Sequence, residues 1–170
     1  MPFAIPSNYA GELRGAFSNC RLITEVLVEP INNPSATTFN TTNLYHAFAN
    51  CRSLKSVPID YYNGQDFNKA FSDCHNITQF PVNRINSNGI CNFHQAFQNC
   101  YNLKGNINLS VNHYYNNASA ESIFQDCHNL NTITLTWKNS SGYNFIMTNG
   151  FQNCYNLTDA HIGGYAKYMN

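Results

Sequence analysis

The sequence predicts an α/β repeat: a solenoid of short-helix and short-strand units, with the strands in one parallel sheet along one face. Three observations predict it. A pentapeptide ending in Asn-Cys or Asp-Cys, with Phe at its second position, recurs six times. Apolar residues ahead of each Cys keep a helical spacing, and those after it alternate. The chain of 170 residues is 43% hydrophobic and 14% aromatic, enough for a sizeable core, yet only 11% charged.

Aligned on the Cys, the matching segments are residues 16–20, 47–51, 70–74, 96–100, 123–127 and 150–154. The steps between them are 31, 23, 26, 27 and 27 residues. Self-similarity at such a period marks a repeat architecture. In the first half of each unit apolar groups fall at i, i+3, i+4 and i+7, as in Leu13, Ala16, Phe17, Cys20 and Leu44, Ala47, Phe48, Cys51. Phe67, Ala70, Phe71, Cys74 and Phe93, Ala96, Phe97, Cys100 repeat it. Unit five starts with Ala120, and unit six uses Met147 and Gly150. That spacing predicts one buried stripe on a helix of about two turns. Asn or Asp before the Cys suits a helix end, where a short side chain tolerates left-handed backbone.

The second half is a strand. Three, six and eight residues after the Cys stand Ile23, Val26, Val28, then Leu54, Val57, Ile59, then Ile77, Phe80, Val82. Leu130, Ile133, Leu135 and Leu157, Ala160, Ile162 keep the same spacing. Positions +6 and +8 have period two, so they line one inward face. Unit four is one residue longer, with Leu103, Ile107 and Leu109, and Gly105 is the expected bulge or lengthened turn. Phe3 and Ile5 repeat the +6/+8 pattern, so the chain starts in a strand. The expectation is one domain over residues 1–170: an N-terminal strand, then six units. Its core ladder is Phe17, Cys20, Phe48, Cys51, Phe71, Cys74, Phe97, Cys100, Phe124, Cys127, Phe151 and Cys154. A short helix and a short strand every 23–31 residues read as a leucine-rich-repeat solenoid.

The Ala-Phe-x-Asn-Cys-x-x-Leu-x-x-Ile-x-Ile pattern resembles the BspA-like, or Treponema pallidum-type, leucine-rich repeat, and the resemblance covers nearly the whole chain. It implies a bacterial or protist surface protein that binds a host or partner protein, or a phage-encoded relative of one. It implies no catalytic residue. The chain departs from the family between strand and helix, where the linkers 29–43, 60–66, 83–92, 110–119 and 136–146 vary in length and are rich in Asn, Ser and Tyr.

Composition excludes several roles. Nine basic residues balance nine acidic ones, so the basic surplus of a nucleic-acid binder is absent. No run of about 18 apolar residues is present to span a membrane. No phosphate loop, G-x-S-x-G or H-E-x-x-H motif occurs, and the acidic residues are scattered. The expectation is therefore no enzyme, no cofactor and no metal, a carbohydrate-active enzyme being the weakest reading. Cys91-x-x-His94 is half a zinc site with nothing to complete it. Cys91 itself sits in a linker, as a reactive thiol or a loop-packing group. His75 and His128 follow a repeat Cys where Arg21, Arg52, Tyr101 and Tyr155 stand elsewhere, as on a solvent-facing rung. Six N-x-[ST] sequons occur among 29 Asn, close to what that composition produces by chance.

A binding role has three candidate surfaces. Strand positions +5 point away from the core and give Glu25, Ser56, Gln79, Asn106, Thr132 and Asp159 in one row. Positions +7 give Leu27, Pro58, Pro81, Asn108, Thr134 and His161, and the two prolines lack an amide donor, so their strands pair imperfectly. Both rows read equally as plain solvated faces. The linkers offer Tyr61, Tyr62, Tyr114, Tyr115, Trp137 and Tyr143, as anchors or as loop packing. The solenoid ends lack polar caps; Pro2 and Pro6 blunt the first edge, and a short tail from Tyr165 to Asn170 follows the last. This suggests a subunit of a larger assembly, such as a phage virion or tail, bound to a protein partner or to its own copies. The alternative is an adhesion module. No secretory leader precedes the first unit, which places the chain in the cytoplasm or a virion if Met1 is the natural start, and at the cell surface if a leader was removed.

Overall fold

The structure, a computed structural model, describes residues 4–30, 35–62, 64, 66–85, 92–113, 118–139 and 145–163. Among these, the side chains of 82–84, 110–113, 118, 137–139 and 145 are not described. Pro2, Phe3, Cys91, Tyr114, Tyr115, Tyr143 and the tail from Tyr165 lie outside the described residues, as does the side chain of Trp137.

One strand precedes the first repeat Cys and another follows each repeat Cys, beginning five to eight residues after it. They are β1 (Ala4–Pro6), β2 (Leu27–Glu29), β4 (Ile59–Tyr62), β5 (Val82–Ile85), β6 (Asn106–His113), β8 (Thr132–Asn139) and β10 (Asp159–Gly163), with β3 (Phe39–Thr41), β7 (Ala118–Ser119) and β9 (Phe145–Ile146) between them. All pairing is parallel, in the orders β1-β2, β3-β4-β5, β6-β8-β10 and β7-β9. Ile5 stands opposite Val28. Ile107, Ile133 and Ala160 align in register, as do Leu109, Leu135 and Ile162. The extra residue of unit four is taken up at Gly105, whose φ of 90° suits glycine. With the added residue absorbed there, Ile107 and Leu109 face inward at 2% and 1% exposure.

The predicted helices are not formed. Among the described residues each apolar stripe is instead a chain of tight turns. Amides four, two and zero residues before the Cys bond the carbonyl three residues back, as in Ala16 to Leu13, Ser18 to Gly15 and Cys20 to Phe17. The remaining amides reach across to the next unit: Leu13 to Asn43, Gly15 to Tyr45, Phe17 to Ala47 and Asn19 to Ala49, at 2.8–2.9 Å. Two positions per unit hold left-handed backbone, one of them the Asn or Asp before the Cys, at φ 60–64°. The other lies five residues before the Cys and holds Gly15, His46, Lys69, Gln95, Ser122 and Asn149, at φ 50–63°. A left-handed third residue is the mark of a type II turn and stops a helix from propagating. Chained turns and helices both return a side chain to the same face after three or four residues, which is why the spacing read as helical.

The inner columns stack along the axis. Phe17, Phe48, Phe71, Phe97, Phe124 and Phe151 lie nearly parallel, with successive ring centroids 5.0, 5.2, 5.5, 5.4 and 5.9 Å apart. Cys51, Cys74, Cys100 and Cys127 are wholly buried beside them. Cys20 departs from the expected ladder: it is exposed, because no earlier turn covers it, and Cys154 is half-buried.

The sheet is interrupted where the prolines fall. Glu25 and Ser56 form a lone bridge between the second and third strand positions. Pro58 has no amide for the ladder, and its carbonyl accepts the Phe39 amide instead. Strand β3, from the longest linker, thus occupies the edge of β4. A second short ladder just ahead of the turns was not expected: Glu12 bridges Asn43, Asp66 bridges Asn92, and β7 pairs with β9.

Candidate partner-binding site

Strand register joins two parts of the outward row, and Gln79 is in no pairing among the described residues. Glu25 faces Ser56, and Asn106, Thr132 and Asp159 stand opposite one another. Glu25, Ser56, Gln79, Asn106 and Asp159 are exposed and Thr132 is half-buried. Thr132 and Asn106 hydrogen bond through their side chains, tying two rungs together. The second row holds in its last part, where Asn108, Thr134 and His161 align. It fails at Pro81, which is buried rather than outward.

Ser56 and Gln79 also line a depression of about 360 Å³, together with Thr37, Thr38, Val57, Pro58, Ile59, Phe80 and Pro81. Its floor is apolar and its rim carries hydroxyl and amide groups. That mixture and that size suit an inserted side chain. The depression exists because the prolines open the ladder and Phe80 leans inward onto Phe97, with ring centroids 5.0 Å apart.

On the turn side, side chains following the Cys form a second column. His75, Tyr101, His128 and Tyr155 stack at 4.6, 5.0 and 5.1 Å. Asp73 and Asp126 lie 3.9 Å from His75 and His128. Burial and the Arg52 charge hold His75 below the usual histidine range, against the pull of Asp73. Beside this column runs a ladder of amides, with Asn156 donating to Asn129, Asn129 to Asn102 and Asn102 to Asn76. Gln98 donates to Gln125 and Gln125 to Gln152, both at 2.9 Å. The signal for these ladders in the sequence is Asn or Gln recurring at one repeat position in successive units.

The interior thiols are held inert. Each donates to the Phe carbonyl of the preceding unit, Cys51 to Phe17 at 3.0 Å and Cys100 to Phe71 at 3.1 Å. Burial pushes Cys51 up to about 12 and Cys154 up to about 11, and drives Cys74, Cys100 and Cys127 well above the ordinary thiol range. Among the described residues no group of His, Cys, Asp or Glu is arranged to hold a metal ion, and no helix is long and apolar enough to cross a membrane.

Parallel strands, one per turn, stacked over an inner Phe column define a leucine-rich-repeat solenoid, a class whose extended faces are binding scaffolds. The chain belongs to the BspA-type family: the model of the BspA type leucine rich repeat region matches it in six copies over residues 15–158. It matches no curated protein and no solved structure.

Proposed function

We propose that the chain is a non-enzymatic subunit of a larger assembly, such as a phage virion or tail structure, and that residues 1–170 act as one domain. Partner protein meets the row Glu25, Ser56, Gln79, Asn106, Thr132 and Asp159, or copies of the chain meet through the solenoid ends. The depression between Ser56 and Gln79 carries the reading, because it gives an otherwise polar face a place for a partner's apolar anchor. Zero net charge supports it, since little repulsion opposes close association.

A second reading is adhesion at a cell surface, and membership of the BspA-type family favours it. Immunogold labelling of the chain in its native source separates the two. Label on free or cell-bound particles is expected for the assembly subunit. Label spread over the cell envelope in the absence of particles overturns it in favour of adhesion.

A further inference from the structure

Two polar columns run side by side along units three to six. Two residues after each Cys stand Asn76, Asn102, Asn129 and Asn156, and four residues after it Thr78, Lys104, Asn131 and Thr158. Both columns line an open depression of about 300 Å³, formed by Thr78, Asn102, Lys104, Asn129, Asn131 and Asn156. Every lining residue is polar, Lys104 is the one charged group among them, and no carboxylate takes part. The depression beside Ser56 has an apolar floor; this one does not. Its groups are held in fixed orientation. Asn102 donates to the Asn76 side-chain oxygen at 3.5 Å, Asn129 to that of Asn102 at 3.4 Å, and Asn156 to that of Asn129 at 3.2 Å. Asn129 also donates to the Tyr101 carbonyl at 2.9 Å. Each of these three side-chain oxygens keeps a lone pair for an outside donor. In the other column the Asn131 side-chain oxygen accepts the Gly105 amide at 3.3 Å, which leaves both hydrogens of its amide nitrogen for an outside acceptor. Lys104 adds ammonium donors, and Thr78 a hydroxyl that serves either way.

We infer that this depression binds a neutral glycan, laid along the solenoid axis with its hydroxyl groups bridging the two columns. One column offers acceptors and the other donors, so the ligand's groups must both donate and accept, as sugar hydroxyls do. A phosphate or carboxylate only accepts, and leaves the Asn side-chain oxygens that face it unmatched. A peptide side chain that binds by apolar burial finds no apolar wall here. The repeat also suits a chain. The neighbouring rings of His75, Tyr101, His128 and Tyr155 show the rung spacing, with centroids 4.6, 5.0 and 5.1 Å apart. That spacing is close to the advance per residue of an extended pyranose chain. Because those rings stack on one another, they stiffen the wall, and recognition falls to the hydrogen bonds. Amides already oriented by the ladder lose little freedom when the ligand arrives. The site shares no residue with the outward row and needs no second copy of the chain.

The test titrates the whole chain with hexasaccharides of glucose, mannose and N-acetylglucosamine, followed by calorimetry. At least one is expected to bind with a Kd of about 1 mM or tighter, and the trisaccharide of the same sugar more weakly, because it spans fewer rungs. Two variants are each expected to weaken binding at least about tenfold. Asn129→Ala removes an oriented side-chain oxygen. Thr78→Arg fills the depression while leaving the Asn ladder in place, and an unchanged circular dichroism spectrum shows that it is folded. Glu12→Gln, on the first turn, is expected to bind as the original chain does. Failure of all three hexasaccharides to bind at about 10 mM, or binding untouched by Thr78→Arg, overturns the inference. So does binding of a galacturonic acid hexasaccharide alone that vanishes in about 0.5 M salt, which would reduce the site to the charge of Lys104.

Discussion

At the residue scale the repeated Cys and Phe divide the work of the interior. The stacked rings supply apolar area, and the thiol fills the gap beside them while bonding a carbonyl that already accepts the local turn amide. Truncating a central ring, as in Phe97→Ala, should cost about 3–5 kcal/mol, read from denaturant unfolding, because its neighbours on both sides are fixed. Thiol titration of the native chain at mildly alkaline pH gives a sharper check. Cys20 should react fast among the described thiols, Cys154 slowly, and Cys51, Cys74, Cys100 and Cys127 only on unfolding. Rapid reaction of all would show that the column opens. The burial of the middle rungs was legible from the repeat. The exposure of Cys20 follows from what lies beside it, and a residue's own repeat position carries no such information.

At the element scale, spacing revealed faces better than it revealed backbone. Strand positions +6 and +8, and the slip at Gly105, were legible because a period of two has one structural meaning. The turn segment differs from the expected helix because i, i+3, i+4, i+7 fits a helix and chained turns alike, and only the left-handed positions separate them. The Asn or Asp before each Cys signalled one such position. The other holds His, Lys, Gln, Ser and Asn as well as Gly, and so left no trace. Strand β3 was illegible because its linker follows no period. Far-ultraviolet circular dichroism should lack the paired minima of an α-helix. Gln95→Gly relieves a φ of 54° and should raise stability by about 0.5 kcal/mol, the lost strain outweighing the added chain entropy. The same change at Ala96, buried and not left-handed, should lower it by a similar or larger amount.

At the scale of the whole molecule, stability should depend on pH through two histidines. Burial, aided by Lys69 at His46 and by Arg52 at His75, lowers both from the ordinary 6.5. The unfolded chain takes up protons near pH 6.5 while the folded chain resists, so stability is full above about that pH and is lost as pH falls below it. Melting temperature should fall from about pH 7 to about pH 5, and His46→Gln with His75→Gln should flatten that part of the profile. The stack also has two unlike sides. Its turn side runs unbroken through all six units, while its strand side is parted between β2 and β4 and again between β5 and β6, where the described residues form no ladder. Mechanically this is a spine with a slotted wall. Load placed along the axis is carried by the spine, and bending concentrates at the slots, with the Phe71–Phe97 contact acting as the pivot of the second one.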